Sequence, residues 1–136
     1  MMSIFNVFDV SASAMSAQTV RLNTTASNMA NVESVATTPE EAYKARQPIF
    51  QAALTEAGGT GVRMAGITES QKPAVARYEP GNPLANEEGY VFAPNVNPVE
   101  EMVNMLSASR SYQTNVEMMS TARDLAVRTL QLGQGQ

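Results

Sequence analysis

The chain has 136 residues, a formal net charge of -4, no His and no Cys. This length predicts one domain, and the acidic balance disfavours a nucleic-acid binder, which needs a basic surface to displace counterions from phosphates. Without His and Cys, histidine-dependent catalytic triads, disulfides and thiolate metal sites are excluded. No apolar run reaches the roughly 18 residues that suggest a membrane span, so we expect no membrane insertion.

The first third of the chain predicts a long helix that carries very few charges. Between residues 3 and 32 only Asp9 and Arg21 are charged. Other residues recur at alternating spacings of three and four, the 3.5-residue repeat of a coiled-coil seam. This row consists of Phe5, Phe8, Ala12, Met15, Thr19, Leu22, Ala26 and Met29. Because a surface helix usually has a charged face, we expect residues 1–36 to form an N-terminal helix that several partners cover.

Residues 37–96 predict a small β-rich or irregular insertion between two helices. Residues 37–39 contain Pro39 and end the first helix. Segments 62–68 and 74–78 predict the two strands of one hairpin. Segment 43–54 is compatible with strand or helix, although its proline disfavours a long helix.

Residues 97–136 predict a second long helix with a well-marked start. Asn97 is suited to the N-cap, Pro98 to the first helical position, and Glu100 to the acid of a capping box. We expect the helix to end at Leu132, before Gly133. One apolar row contains Val99, Met102, Leu106, Tyr112, Val116, Met119, Ala126 and Leu130, and a second contains Met118, Ala122, Leu125, Thr129 and Leu132.

The predicted fold class is therefore mainly α with a small β insertion. We expect the long N- and C-terminal helices to pair as an antiparallel coiled coil because each has a seam that the other can cover. A short β-hairpin region lies between them.

Candidate catalytic groups are few. Glycines 58, 59, 61 and 66 match neither the dinucleotide fingerprint nor the phosphate loop. The acidic pairs at 40–41 and 87–88 are typical of exposed loops, and the pair at 100–101 is typical of a helix start. We therefore expect no catalytic residue, no cofactor and no metal site.

Several segments resemble the axial proteins of the bacterial flagellum, and in particular the rod proteins of its basal body. Segment 22–32 is similar to the Asn-rich end of their first helix. Segment 89–97, G-Y-V-F-A-P-N-V-N, followed by V-E-E-M, is similar to a proximal rod component. The residues that carry these motifs are Ser27, Asn28, Ala30, Asn31, Gly89, Tyr90, Val91, Pro94, Asn95, Val96 and Asn97. Segment 32–40 departs from the shorter opening usual in the family, so we expect the loop after the first helix to differ.

The resemblance implies a structural subunit that assembles with copies of itself and other rod proteins into a tubular driveshaft, transmitting torque from motor to hook. It implies a rod that spans the periplasm, type III export without a cleaved signal peptide, and contact with the adaptor that joins the rod to the export gate. We expect subunit packing through Phe5, Phe8, Met15, Leu22, Met29, Val99, Met102, Leu106, Tyr112, Val116, Met119, Leu125 and Leu130.

Two other functions stay open at this point. One is a secreted helical component of a related type III system, which a closed ring with fixed neighbours in a basal body would argue against. The other is an enzyme that uses only carboxylates and hydroxyls, which would hold a metal or substrate in the region 58–66.

Overall fold

The computed structural model describes residues 4–56 and 58–135, which form two long helices joined by two short hairpins. The mainly α fold with a small β region is thus confirmed. At 1.5 Å per residue, the first helix is about 40 Å long and the second about 55 Å. Neither is apolar enough to cross a membrane in the part of the chain that the structure describes. In chain order the elements are α1 (Ile4–Ala30), β1 (Arg46–Leu54), β2 (Thr60–Glu69), β3 (Val75–Tyr78), β4 (Tyr90–Ala93) and α2 (Pro98–Gln134).

The start of α2 is capped as the sequence predicts. The Asn97 side-chain oxygen accepts hydrogen bonds from the backbone N–H groups of Val99 and Glu100, at 3.0 and 3.4 Å. The predicted end at Leu132 is wrong, because the helix continues to Gln134. A glycine inside a helix costs only about 1 kcal/mol relative to alanine, so Gly133 alone does not stop it.

The two helices contact each other and run in opposite directions. Asn28, near the end of α1, bonds Glu101 in the first turn of α2. The Arg21 guanidinium donates to Asn104, one turn further along α2. The start of α1 shares a groove with the region around Met118 and Leu125.

Small and polar residues are the ones that become buried along the two helices. The predicted row of α2 divides between two sides of the helix, because Tyr112, Met119 and Ala126 are half-buried whereas Leu106 is 69% exposed. Small residues let two helix axes approach closely, whereas a row of large side chains holds them apart. The buried residues are Ser11, Ala17, Thr24, Thr25 and Asn28 in α1, and Glu101, Ala108 and Ala122 in α2.

The strand pairing also differs from the prediction. Segments 62–68 and 74–78 were expected to pair with each other, but β2 pairs with β1 and β3 pairs with β4, both antiparallel. The reason lies in the turns. A turn in which the Thr55 N–H donates to the Gly59 carbonyl at 2.8 Å closes the first hairpin, and Gly58 adopts the φ of +87° that it requires.

The β1–β2 hairpin lies against α1, and a β-bulge in β2 determines which of its side chains face the helix. Phe50 pairs with Met64 whereas Ile49 pairs with Gly66, so Ala65 is an extra residue in β2. A bulge shifts the alternation of side chains, which leaves Met64 and Ile67 on the same face although they are three positions apart. Both line a groove with α1.

The β3–β4 hairpin forms a second small packing centre. Val91 of β4 is fully buried, and Ala93, Ala42 and Ala45 are buried as well. Ala36 exchanges two backbone hydrogen bonds with Phe92, both at 2.9 Å, and so extends this sheet by one bridge. The loop after α1 is thereby fixed to the strand that precedes α2.

Candidate assembly interface

The outer side of α2 presents a row of large apolar side chains to solvent. Positions 102, 116 and 130 are separated by two heptads each, and positions 99 and 106 by one, so they share a face of the helix. An exposed apolar row of this length is typical of a surface that another chain covers. The exposed members are Val99, Met102, Leu106, Val116 and Leu130.

A second exposed row lies beside the start of α1. Met118, Leu125 and Leu132 follow one another at seven-residue spacing and are all more than half exposed. Together with Ile4 and Val7, Met118 and Leu125 line an apolar groove of about 440 Å³. Two apolar rows on α2 were predicted, and both are only partly covered within this chain.

The other predicted packing residues are partly covered by their own chain. Tyr112 and Met119 are half-buried on α2. On α1, Phe5 is exposed, whereas Phe8, Met15, Leu22 and Met29 are half-buried. The large exposed apolar side chains of the two helices therefore belong mostly to α2.

The S-N-x-A-N motif at the end of α1 builds a hydrogen-bonded node. The Asn28 side chain is 1% exposed. Its oxygen accepts from the Tyr43 hydroxyl at 2.8 Å and from the Arg46 N–H at 2.9 Å. Its nitrogen donates to the Arg46 carbonyl at 2.9 Å and to the Glu101 carboxylate at 3.1 Å. One side chain thus joins α1, β1 and α2.

Other motif residues extend this node. The hydroxyls of Ser27 and Tyr43 are hydrogen-bonded at 3.1 Å, and Asn31 donates to the Ser27 carbonyl at 2.8 Å. Ala30 is exposed. These contacts fix the end of α1 and the start of the first hairpin as one unit.

Glu101 is the buried charge of this node, at 6% exposure. Among the described residues, no Lys or Arg lies within 4.0 Å of its carboxylate. It borders a cleft of about 380 Å³ that Arg21, Arg46 and Asn104 also line. A buried carboxylate needs hydrogen-bond donors, and Asn28 provides one.

The motif around β4 also stabilises the subunit itself. Gly89 has a φ of +88°, and a Cβ there would lie 2.9 Å from the Tyr78 ring. Tyr78 and Tyr90 pack edge to face with ring centres 5.2 Å apart. Pro94 is buried and Val96 half-buried. This part of the motif therefore favours one backbone path into α2.

Asn95 connects this segment with the first hairpin. Its oxygen accepts from the Ala45 N–H at 2.7 Å, and its nitrogen donates to the Lys72 carbonyl at 2.7 Å. Both partners are backbone groups, so these bonds depend on where the backbone lies at residues 45 and 72 and not on the side chains at those positions. In residues 4–56 and 58–135 no group of three or more acidic side chains is arranged to hold a metal ion.

Comparison with protein families matches both ends of the chain. The model described as "Flagella basal body rod protein" matches residues 8–35, and the model described as "Flagellar basal body rod FlgEFG protein C-terminal" matches residues 87–132. The matched ranges contain Asn28, Glu101 and the β4 motif, whereas Tyr43 and Arg46 of the node lie outside them.

Similarity to curated proteins extends over almost the whole chain. "Flagellar basal-body rod protein FlgC" of Escherichia coli O6:H1 is 49% identical over 134 residues, which cover 98% of this chain and 100% of that protein. The protein of the same name from Salmonella typhimurium is 50% identical over 135 residues, with the same coverage. That from Aquifex aeolicus is 42% identical over 135 residues.

The chain belongs to the FlgC family of flagellar basal-body rod proteins. It is therefore a structural rod subunit of the flagellar basal body and not an enzyme. The resemblance found in the sequence is confirmed, and the alternative of a secreted component of another type III system is not favoured. Membership of the FlgC family also means that the subunit assembles with other rod components of the basal body.

Sequence reasoning missed the roles of Tyr43 and Glu101. The sequence pattern assigns Glu101 only to a helix start. A signal was present, because Glu101, Ala108 and Ala122 are separated by multiples of seven and so lie on one face of α2. The neighbouring rows of large apolar side chains give a stronger periodic signal, so this row of small residues was not identified.

Proposed function

We propose that this chain is a subunit of the proximal rod, which assembles with copies of itself and with other rod proteins into a tubular driveshaft between motor and hook. The observation that carries the proposal is the exposed apolar row of α2 in a chain of the FlgC family. A helix with such a row needs a neighbour to cover it.

The proposed domain division follows from this role. Residues 1–36 and 97–136 supply the helices of the axial core, where they act as an antiparallel coiled coil, and residues 37–96 form the β-rich insertion. The opposite directions of α1 and α2 support the pairing. Residues 43–90 of the insertion supply contacts that fix the identity of the subunit, and exchanging this segment with that of a sister rod protein should misplace the subunit without preventing export.

Location and delivery are part of the same proposal. The rod crosses the periplasm, and the subunit leaves the cytoplasm through the flagellar type III apparatus without a cleaved signal peptide. Its partners include the adaptor that joins the rod to the export gate. Nucleic acid and membrane insertion have no part in this function.

A charge on the α2 row tests the proposal against a neighbouring control. Leu130→Glu places a carboxylate on the apolar row, and we expect it to abolish rod assembly and swimming because an unpaired charge would be buried between subunits. Gln131→Glu adds the same charge on the polar row of Arg110, Glu117 and Asp124, and should leave both intact. Normal basal bodies in the Leu130→Glu strain would contradict the assigned surface.

A further inference from the structure

The β1–β2 hairpin is attached to α1 at two places. Its base is held by the Asn28 node, in which the Asn28 side chain bonds both the N–H and the carbonyl of Arg46. The paired hydrogen bonds fix the position of this residue, which begins β1, relative to the end of α1. Because the Asn28 side chain is 1% exposed, water has little access to its side of these bonds.

The tip of the hairpin is held by Ser13 in the first half of α1. The Ser13 hydroxyl accepts from the Val62 N–H at 3.0 Å and donates to the Val10 carbonyl at 2.8 Å. Gly61 lies so close to the helix that a Cβ there would be 2.6 Å from the Ser13 hydroxyl oxygen. A side chain at position 61 therefore requires the Ser13 hydroxyl to move.

Between the two attachments the hairpin follows the helix. Val62 and Met64 line a cavity of about 250 Å³ with Val20, and Met64 and Ile67 line another of about 230 Å³ beside it. A two-stranded hairpin is marginally stable alone in water, so α1 stabilises it. In return the hairpin covers a helix that has almost no charged face of its own.

We propose that the β1–β2 hairpin is a permanent intramolecular cover for α1, which takes the place of a neighbouring subunit on that face and stays closed in the assembled rod. Neighbouring subunits then contact this chain through the outer row of α2. The part of this inference that concerns the assembled rod rests on the proposed function. The contact between Ser13 and Gly61 keeps the cover closed.

A disulfide between the two positions tests the proposal on the full chain. A Cβ at position 61 would lie 3.3 Å from the Ser13 Cβ, slightly less than the roughly 3.5–4.5 Å usual in disulfides, so a small outward shift lets the two positions be joined. The natural chain has no Cys, so Ser13→Cys combined with Gly61→Cys introduces the only thiols. Mild oxidation of the purified variant should remove both free thiols without forming a covalent dimer.

The decisive result comes from basal bodies purified from a strain whose only copy of the gene carries both substitutions. We expect this strain to swim like one with the natural chain, and mild oxidation of its purified basal bodies to convert the thiols of assembled subunits to the disulfide while the rods stay intact. If assembled subunits keep free thiols after this oxidation, or if oxidation takes the rods apart and a reductant restores them, the hairpin is open in the rod and the proposal is overturned. Failure of the bond to form in the oxidised free chain would also overturn it, because positions 13 and 61 would then not be in contact.

Two further strains separate the possible causes of failure. Ser13→Cys alone lacks the hydroxyl that accepts from the Val62 N–H, so it separates the effect of losing that bond from the effect of the cross-link. A strain in which the gene is deleted and then replaced by a copy that encodes the natural chain tests the proposed function directly. If this copy did not restore rods, the proposed function would fail regardless of the hairpin.

Discussion

The two long helices of this subunit differ in where they find their partners. α1 buries small and polar residues against α2 and lies under the β1–β2 hairpin, so both of these contacts are within the chain. α2 buries only three residues over its whole length and presents large apolar side chains to solvent. This difference supports the proposal that α1 serves mainly the fold of the subunit and α2 its assembly.

The largest effect on the fold should come from the buried node. Asn28→Ala removes the partner of the Glu101 carboxylate, the Tyr43 hydroxyl and both backbone groups of Arg46. We expect the free energy of unfolding to fall by about 2–5 kcal/mol, because a buried carboxylate and other polar groups lose their bonds. Urea denaturation followed by circular dichroism measures it. Asn23→Ala, at an exposed position of α1, is the control and should change it little.

A smaller loss should follow from a large side chain between the helices. Ala108 is fully buried, and Ala108→Leu should lower the free energy of unfolding by about 1–3 kcal/mol because the added atoms force the helices apart. Thermal and urea unfolding of the free subunit both report this change. Unchanged midpoints would mean that α1 and α2 do not pack closely at this point.

The contact between Gly61 and Ser13 should contribute less to the free energy of unfolding than the packing at Ala108. In Gly61→Ala the new methyl meets the Ser13 hydroxyl, and we expect a loss of about 1 kcal/mol, at the low end of overpacking, since that hydroxyl can rotate. Gly66→Ala in the same strand is the matched control, because a Cβ there has no atom within 4 Å. Equal stability of the two variants, measured by urea denaturation, would contradict the close approach.

The smallest effect on stability should occur on the outer row of α2. Leu106→Ala removes an exposed side chain and should change the free energy of unfolding by no more than about 0.5 kcal/mol. The same variant should enter rods less efficiently, which the amount of subunit in purified basal bodies measures. A marked loss of stability in the free subunit would place Leu106 in the fold rather than in the assembly surface.

The sequence predicted the helices better than their contacts. The spacing of apolar residues and the cap at Asn97 identified both helices, because these signals are local. The pairing of strands was wrong because it depends on which turns close, and both closing glycines adopt a positive φ that the pattern alone did not assign. The node at Asn28 joins residues up to 73 positions apart, and no local periodicity indicates such a contact.

The same limit applies to the assembly surface. The rows at Leu106 and Leu125 were expected to pack against something, and the periodicity correctly showed that they form faces of a helix. It could not show that Ala108, two positions away, faces α1 while Leu106 faces outward. That distinction depends on the small residues that allow the two helices to approach.

Thiol labelling at these two neighbouring positions tests the central claim most directly. Single variants Leu106→Cys and Ala108→Cys each carry one thiol, since the natural chain has none. We predict that the thiol at position 106 reacts in the free subunit and is protected in purified basal bodies, whereas the thiol at position 108 is protected in both. A thiol at position 106 that reacts equally in the free subunit and in the assembled rod would contradict the assignment of α2 to assembly.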